Sequence, residues 1–300
     1  LEAEAALAHH ASGRSAALYE PRYGAPAVVE LSLASGDHFR AATGVLSPRG
    51  LMLVGRADQA EAFAAERDDF EMADCTVEEA RAVVPILNPA VVTRAAVADH
   101  AWDIDTDLLL QGFAREAKGR GAAIVTGARV TAIRRDGGDW VVTTAAGDFT
   151  GRMLVNAAGA WVDQIERIAG VQPLGFTPLR RSMARLPAPG GLDVSRWPMI
   201  FGAGESWYAK PDAGALIVSP AEEDPAEPHD AWADDMVLAE GLARLLGRVA
   251  CHCVTDGSGQ GPPCETLTPA PSPAAARRSA IHVARARTRC APASGRSSAR

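Results

Sequence analysis

Apolar residues recur along this chain at two periods, and the switches between them mark out its elements. Val28, Val29, Leu31 and Leu33 give a helix-like segment, and the run GLMLVG at 50–55 reads as a strand. Apolar positions at helical spacing fill 58–70. Thr76 heads a further helix, TVEEAR, as its N-cap, and Pro85 and Pro89 close it. Helical period returns over 108–118 and stops at Gly121. Strand candidates follow at 123–126, 130–135 and 140–144, with Asp136-Gly137-Gly138-Asp139 and Ala145-Ala146-Gly147 as turns. The resulting meander feeds a last strand over 148–155.

That last strand ends in the stretch MLVNAAGAWVD at 153–163, around which the chain is organised. A buried strand ending in Ala157-Ala158-Gly159 lets the backbone come close to something else, since almost no side chain intervenes. The neighbour is either a packed element across a tight turn or a ligand at the carboxyl ends of a doubly wound sheet.

Composition narrows the class. Three hundred residues, 47% apolar, 22% charged and with net charge −7, describe an ordinary acidic globular protein without general affinity for nucleic acid or anionic membrane. No apolar run is long enough for a membrane span and no signal segment is present, so a cytoplasmic location is expected. The charge is uneven: residues 251–300 hold seven arginines against two acids, a net of +5, which leaves −12 on residues 1–250. Four of the five cysteines also lie in that tail, which is no disulfide framework. Its Pro, Ser, Ala, Gly and Arg predict disorder. Cys251, His252, Cys253 and Cys264 match no closed zinc spacing, and no aromatic platform accompanies the arginines for nucleic acid.

Three charged patterns are candidates for chemistry. Asp103, Asp105 and Asp107 precede the 108–118 helix; with no calcium-type glycine turn they read as caps complementing the helix dipole, with Asp105 or Thr106 as the cap, and no metal is expected. The opening Leu1-Glu2-Ala3-Glu4 looks like a strand end, and Glu2 stands where a dinucleotide-binding unit places the acid that holds the ribose hydroxyls. Ser12-Gly13-Arg14-Ser15, just before the helix-prone Ala16-Ala17-Leu18, offers hydroxyls, backbone N–H groups and a guanidinium to a phosphate. Taken alone, the string reads more readily as an N-cap with a surface arginine. Arg180-Arg181 before Ser182-Met183-Ala184 is either a solvated strand edge or a fork for a carboxylate.

LE, HHASGRSAAL, LVNAAGAWVD, PLRRSMA and ESWYAKPDAGALIVSPAEEDPAEPHDA, in that order from residue 1 to about 245, resemble the glycine/D-amino acid oxidase (DAO) family of flavoproteins, above all its D-arginine and D-amino acid dehydrogenase branch. The resemblance implies an α/β fold: a Rossmann-like three-layer FAD-binding domain at 1–30 and 100–175, and an antiparallel-sheet substrate domain at 31–99 and 176–246. It implies FAD as cofactor, held by Glu2, Ala3, the loop Ala11, Ser12, Gly13, Arg14, Ser15, Ala16, Ala17 and Leu18, the backbone at Val130, and Ala157, Ala158 and Gly159. Arg181 matches the arginine that holds the substrate carboxylate, and Tyr208 and Tyr23 match tyrosines lining the same pocket. The implied reaction takes hydride from the Cα of a D-amino acid to flavin N5, giving an imino acid and then a 2-oxo acid. The electron acceptor is left open, and no side chain stands out as the base that deprotonates the amine.

Two departures from that branch bear on substrate. Leucines at Leu18 and Leu51 replace a histidine and a carboxylate, which points from D-arginine towards an apolar D-amino acid, although Glu20 is a nearby acid. The family's N-terminal glycine loop and its C-terminal arginine and flavin-contacting blocks are not found. A reading-frame shift near residue 247 is the expected cause of the second. The alternative reading is an inactive fragment that does not retain FAD.

Overall fold

The structure is a computed structural model describing residues 1–247, Val249 and the strand 278–286. A 3-10 turn at Ala11–Arg14 precedes β1 (Leu18–Tyr19), α1 (Pro26–Ala41), β2 (Leu46–Pro48) and β3 (Leu51–Gly55). Next come α2 (Ala60–Asp69), β4 (Ala73–Cys75), α3 (Val77–Val83), β5 (Arg94–Ala98), β6 (Trp102–Ile104) and α4 (Thr106–Gly119). The meander β7 (Val130–Asp136), β8 (Asp139–Thr144) and β9 (Gly147–Gly151) leads through a 3-10 turn at Gly159–Trp161 to α5 (Val162–Ile168). β10 (Phe176–Pro187), β11 (Met199–Gly202), β12 (Tyr208–Asp212), β13 (Ala215–Ser219), β14 (Asp224–Pro225), α6 (Asp235–Leu246) and β15 (Arg278–Ala286) complete the described chain.

The largest sheet runs β14-β10-β13-β12-β11-β3-β5-β4, with β15 on the free edge of β10. Among the described strands only the β11–β3 pairing is parallel. β3 shows why the sheet lies in the middle of the molecule: all five of its residues are buried, as in a strand covered on both faces. Met52 and Val54 join a core with Ile200, Ala209, Leu216 and Val218, packed under α3 through Ala80 and α6 through Leu245. Leu51 and Leu53 face the other way, towards Phe63 of α2, Phe201 and Tyr208. The two-residue alternation of strand side chains thus supplies two cores from one sheet. Burying each large aliphatic side chain contributes about 1.5–3 kcal/mol before entropy is subtracted.

The helix ends follow the local chemistry. Thr76 accepts from the Glu79 backbone N–H while the Glu79 carboxylate accepts from the Thr76 N–H, a complete capping box. Asp105 accepts from Leu108 N–H at 2.8 Å, so this acid caps α4.

Five expectations need correction. The opening residues 1–4 form no strand, and 15–18 is not helical, with Ala17 at φ +55° and Leu18 at the start of β1. Residues 123–126 are not a ladder strand: their described pairing is with 2–4, through Glu2 N–H to Val125 O (2.8 Å), Ala128 N–H to Glu2 O (2.8 Å) and Gly127 N–H to Glu4 O (2.8 Å). The stretch 153–155 is neither buried nor a strand, since Met153 is 82% and Val155 76% exposed. β9 ends at Gly151, and among the described residues no strand pairs with 153–155; Leu154 is half-buried, lining a hollow with Trp140, Ile165 and Val171, while Met153 and Val155 stay exposed. Within the tail, 278–286 is not irregular. It pairs with β10 over nine positions, from Phe176↔Ala286 to Ala184↔Arg278, and its Ile281 and Val283 are strand-favouring residues two apart. The expectations for the rest of the tail, including the cysteine cluster, lie outside the described residues.

Candidate functional site

The residues expected to face the cofactor lie near one another. Glu2 and Glu4 lie beside 125–128, which runs directly into Val130 at the start of β7. The Glu2 carboxylate accepts from the Glu4 N–H at 2.9 Å, and Ala3 stands between them, half-buried. The 9–14 loop touches the other wall through the rings of His10 and Trp161, whose centroids are 4.6 Å apart. In that wall Asn156 fixes the turn: its side chain donates to Val162 O and accepts from Ala158 N–H. Gly159 has φ +55° with open space where a Cβ would stand, and Ala157 and Gly159 are exposed. Gly13 is required at its position, because a Cβ there would lie 2.1 Å from Ala8 O.

Ala11, Ser12, Gly13 and Ser15 are exposed, and Ser15 Oγ accepts from the Ala17 N–H. The Arg14 guanidinium is engaged by the Asp230 carboxylate and by Ala231 O at 3.0 Å. Ligand atoms of Glu4, His9 and His10 cluster within 4.8 Å. Arg14 stands 3.3 Å from the His9 ring nitrogen and Arg129 3.4 Å from Glu4, and two fixed positive charges oppose a cation there. An adenine dinucleotide fits the exposed loop residues 11–13, the Glu2 carboxylate beside 125–128 and the glycine face without side chains, whereas Arg14 is already held by Asp230.

The loop's last residues connect the two halves of the site. Ala16 packs against Met183 and Ile217, while Ala16 and Leu18 pack on the face formed by Leu51, Leu53, Phe201 and Tyr208. Leu18 and Leu51, far apart in sequence, therefore share one apolar wall. Phe70 joins it, 5.5 Å from Phe201 and stacked on Tyr23 at 6.2 Å.

Tyr23, Arg181 and Tyr208, which no spacing relates, converge beside that wall. Arg181 Nη1 donates towards the Tyr23 hydroxyl at 3.4 Å, and Tyr208 is within electrostatic reach of Arg181, Tyr23 and Glu222. Burial raises the Tyr208 phenol above its ordinary value. The sheet aligns these groups: Arg181 and Ser182 are neighbours on β10, Ser219 Oγ donates to Ser182 O at 2.6 Å, and Ser219 is the β13 partner of Tyr208.

Several charged residues here carried no signal in the sequence beyond the acidic run AEEDP and the following HD. Glu223 pairs with Arg181 Nη2 at 2.7 Å, and Glu222 O accepts from Arg181 Nε at 3.4 Å. The Glu222 carboxylate accepts from the Ser182 N–H through Oε1, while its buried Oε2 has no hydrogen-bond partner among the described residues. Burial raises the Glu222 carboxyl above its usual value. Glu20 is not a spare acid: its carboxylate accepts from Arg22 N–H and pairs with His100 Nδ1 at 3.0 Å, and the other nitrogen of that ring is held by Phe70 O at 2.8 Å.

With the geometry described, comparison with known proteins places the molecule. A family model described as DAO, FAD dependent oxidoreductase, matches residues 1–262. Among solved structures, L-α-glycerophosphate oxidase from Mycoplasma pneumoniae, with FAD bound, is similar with a TM-score of 0.74 at 16% identity, over 95% of this chain and 76% of that one. Glycine oxidase from Geobacillus kaustophilus gives 0.67 at 20% identity, over 83% and 70%. L-Proline dehydrogenase from P. horikoshii gives 0.68 at 18%, over 80% and 67%. At these identities the structures establish a shared mixed α/β fold, and the family match carries the classification. The chain belongs to the DAO family of FAD-dependent oxidoreductases.

Proposed function

We propose that this flavoprotein oxidises a D-amino acid with an apolar side chain, taking the Cα–N bond to an imino acid that water converts to a 2-oxo acid and ammonia. The observation that carries the reading is the convergence of Arg181, Tyr23 and Tyr208 beside Leu18 and Leu51. A planar guanidinium binds a carboxylate in two places at once. The apolar wall supplies no counter-charge for a cationic side chain. Bound FAD supplies the two-electron acceptor, and the protein supplies orientation and electrostatics. Arg181 fixes the carboxylate, the tyrosines bound the pocket, and Ala16 and Leu18 tie the cofactor loop to the sheet that carries them. Glu2, Ala3, residues 11–18, Val130 and residues 157–159 are the cofactor contacts in this reading. Glycine oxidase and L-proline dehydrogenase act on substrates that join an amine to a carboxylate, which supports the same substrate class.

The test is turnover of paired D- and L-amino acids with an artificial electron acceptor and with oxygen. Apolar D-amino acids are the expected substrates, and Arg181→Lys raises their KM about tenfold, a loss of about 1.4 kcal/mol in binding. Turnover confined to L-amino acids or to glycerol phosphate contradicts the proposal.

A specific observation favours a second reading, an inactive chain that does not retain FAD. Met153 and Val155, which lead into the 157–159 wall, are exposed rather than packed. Purified protein that is colourless and gains no flavin absorbance on addition of FAD would establish that reading.

A further inference from the structure

A cluster of three charged side chains lies beside the end of the 11–18 loop. Lys210 is 5% exposed, and its Nζ donates to Asp103 Oδ1 at 2.7 Å. Arg49 holds the other oxygen, Oδ2, through Nε at 2.9 Å and through Nη2, and its Nη1 donates to Ser195 O and Trp197 O at 2.7 and 2.8 Å. One carboxylate therefore joins β6 of the small β1-β6-β2 sheet to β12 of the large one.

This junction stands where the two halves of the site meet. Asp103 is the cross-strand partner of Leu18, so their side chains share a face, and the adjoining ladder bond runs from Ile104 N–H to Ala17 O at 3.1 Å. Lys210 lies two residues from Tyr208 on β12 and so on the same face of the large sheet. Its partner on β13 is Ile217, against which Ala16 packs. Between Ala16 and Leu18, Ala17 has φ +55°, a left-handed conformation that an alanine keeps only where its surroundings enforce it. An apolar side chain in place of Lys210 could fill the same space. What the ion pair adds is a fixed distance and direction between the strand that ends the loop and the strand that carries Tyr208.

We propose that Lys210 and Asp103, anchored by Arg49, are positioning residues that set the cofactor loop against Tyr208, so that cofactor and substrate are held in reacting alignment. This rests on the assignment of residues 11–18 to the cofactor and of Tyr208 to the substrate pocket.

The test is Lys210→Met, which keeps the stem of the side chain and leaves Asp103 paired with Arg49. If that variant does not fold, Lys210→Gln carries the same expectations. In flavin-free protein, trypsin cleavage at Arg14–Ser15 is expected to quicken about fivefold or more, while cleavage after the exposed Arg120 at the end of α4 stays within about twofold. In FAD-loaded protein mixed anaerobically with D-alanine, the limiting rate of bleaching per bound flavin is expected to fall about tenfold or more. The FAD affinity and the D-alanine concentration that gives half the limiting rate are expected to stay within about threefold of native, since binding is kept and alignment is lost. Lys210→Arg, which keeps a cation facing Asp103, restores the limiting rate. Cleavage that quickens equally at both arginines, or a limiting rate that does not fall, overturns the proposal. Arg181→Lys separates the two layers. If it weakens D-alanine while Lys210→Met leaves the limiting rate unchanged, the site assignment stands and the positioning role falls. Native bound flavin that no D-amino acid bleaches overturns the assignment and the positioning role with it.

Discussion

Glu66 on α2 accepts the N–H groups of Gly204 and Glu205 at 2.9 and 3.0 Å through Oε1, while its buried Oε2 has no hydrogen-bond partner among the described residues. Burial raises its carboxyl above the ordinary value of 4.5, more than the two N–H groups lower it. A raised folded value means that the folded protein holds this proton more tightly than the unfolded chain. The group's contribution to stability is therefore present at low pH and lost as pH rises through the folded value. Glu66→Gln does not titrate, so the melting temperature of the variant should gain on that of the native protein as pH rises from the ordinary carboxylate value through the raised one. A gap independent of pH contradicts the assignment. Glu20 and Glu222 shift in the same direction for the same cause. None of the three was legible as a buried acid, because enclosure of a carboxylate comes from elements brought together by the fold: His100 and Phe70 for Glu20, residues 203–205 for Glu66, and β10 for Glu222.

At the scale of elements, local chemistry could be read where its cause is local. The capping box at Thr76, the Asp105 cap and the continuous apolar run of β3 were each visible in a few adjacent residues. Thr76→Ala should cost about 1 kcal/mol of stability with little effect on ligand binding, measured by denaturant unfolding. A loss below a few tenths of a kcal/mol would mean that packing of Ala80 and Val84 alone holds α3. The errors fall on elements whose fate depends on a distant partner. Met153, Leu154 and Val155 have the composition of a buried strand, but burial requires a neighbour that the run itself does not specify. β15 is the converse: a segment in a composition that reads as disordered is ordered by the free edge of β10.

At the scale of the molecule, one sheet organises both halves of the site. Its one face carries Leu51, Phe201 and Tyr208, against which the end of the 11–18 loop packs, and Arg181 lies on β10 of the same sheet. The segment after β13 also reaches both halves, with Glu223 on Arg181 and Asp230 on Arg14. Residues 23, 181 and 208 could be named from motif resemblance, but their meeting is a property of the tertiary fold. No helix among the described residues is long and apolar enough to cross a membrane. The central claim is that Arg181 presents a D-amino acid to bound FAD, and anaerobic mixing of flavin-loaded protein with D-alanine and L-alanine tests it most directly. The account predicts that D-alanine bleaches the visible flavin absorbance, L-alanine does not, and Arg181→Lys needs about tenfold more D-alanine for the same bleaching. Bound flavin that no D-amino acid bleaches, or bleaching unaffected by Arg181→Lys, would contradict it.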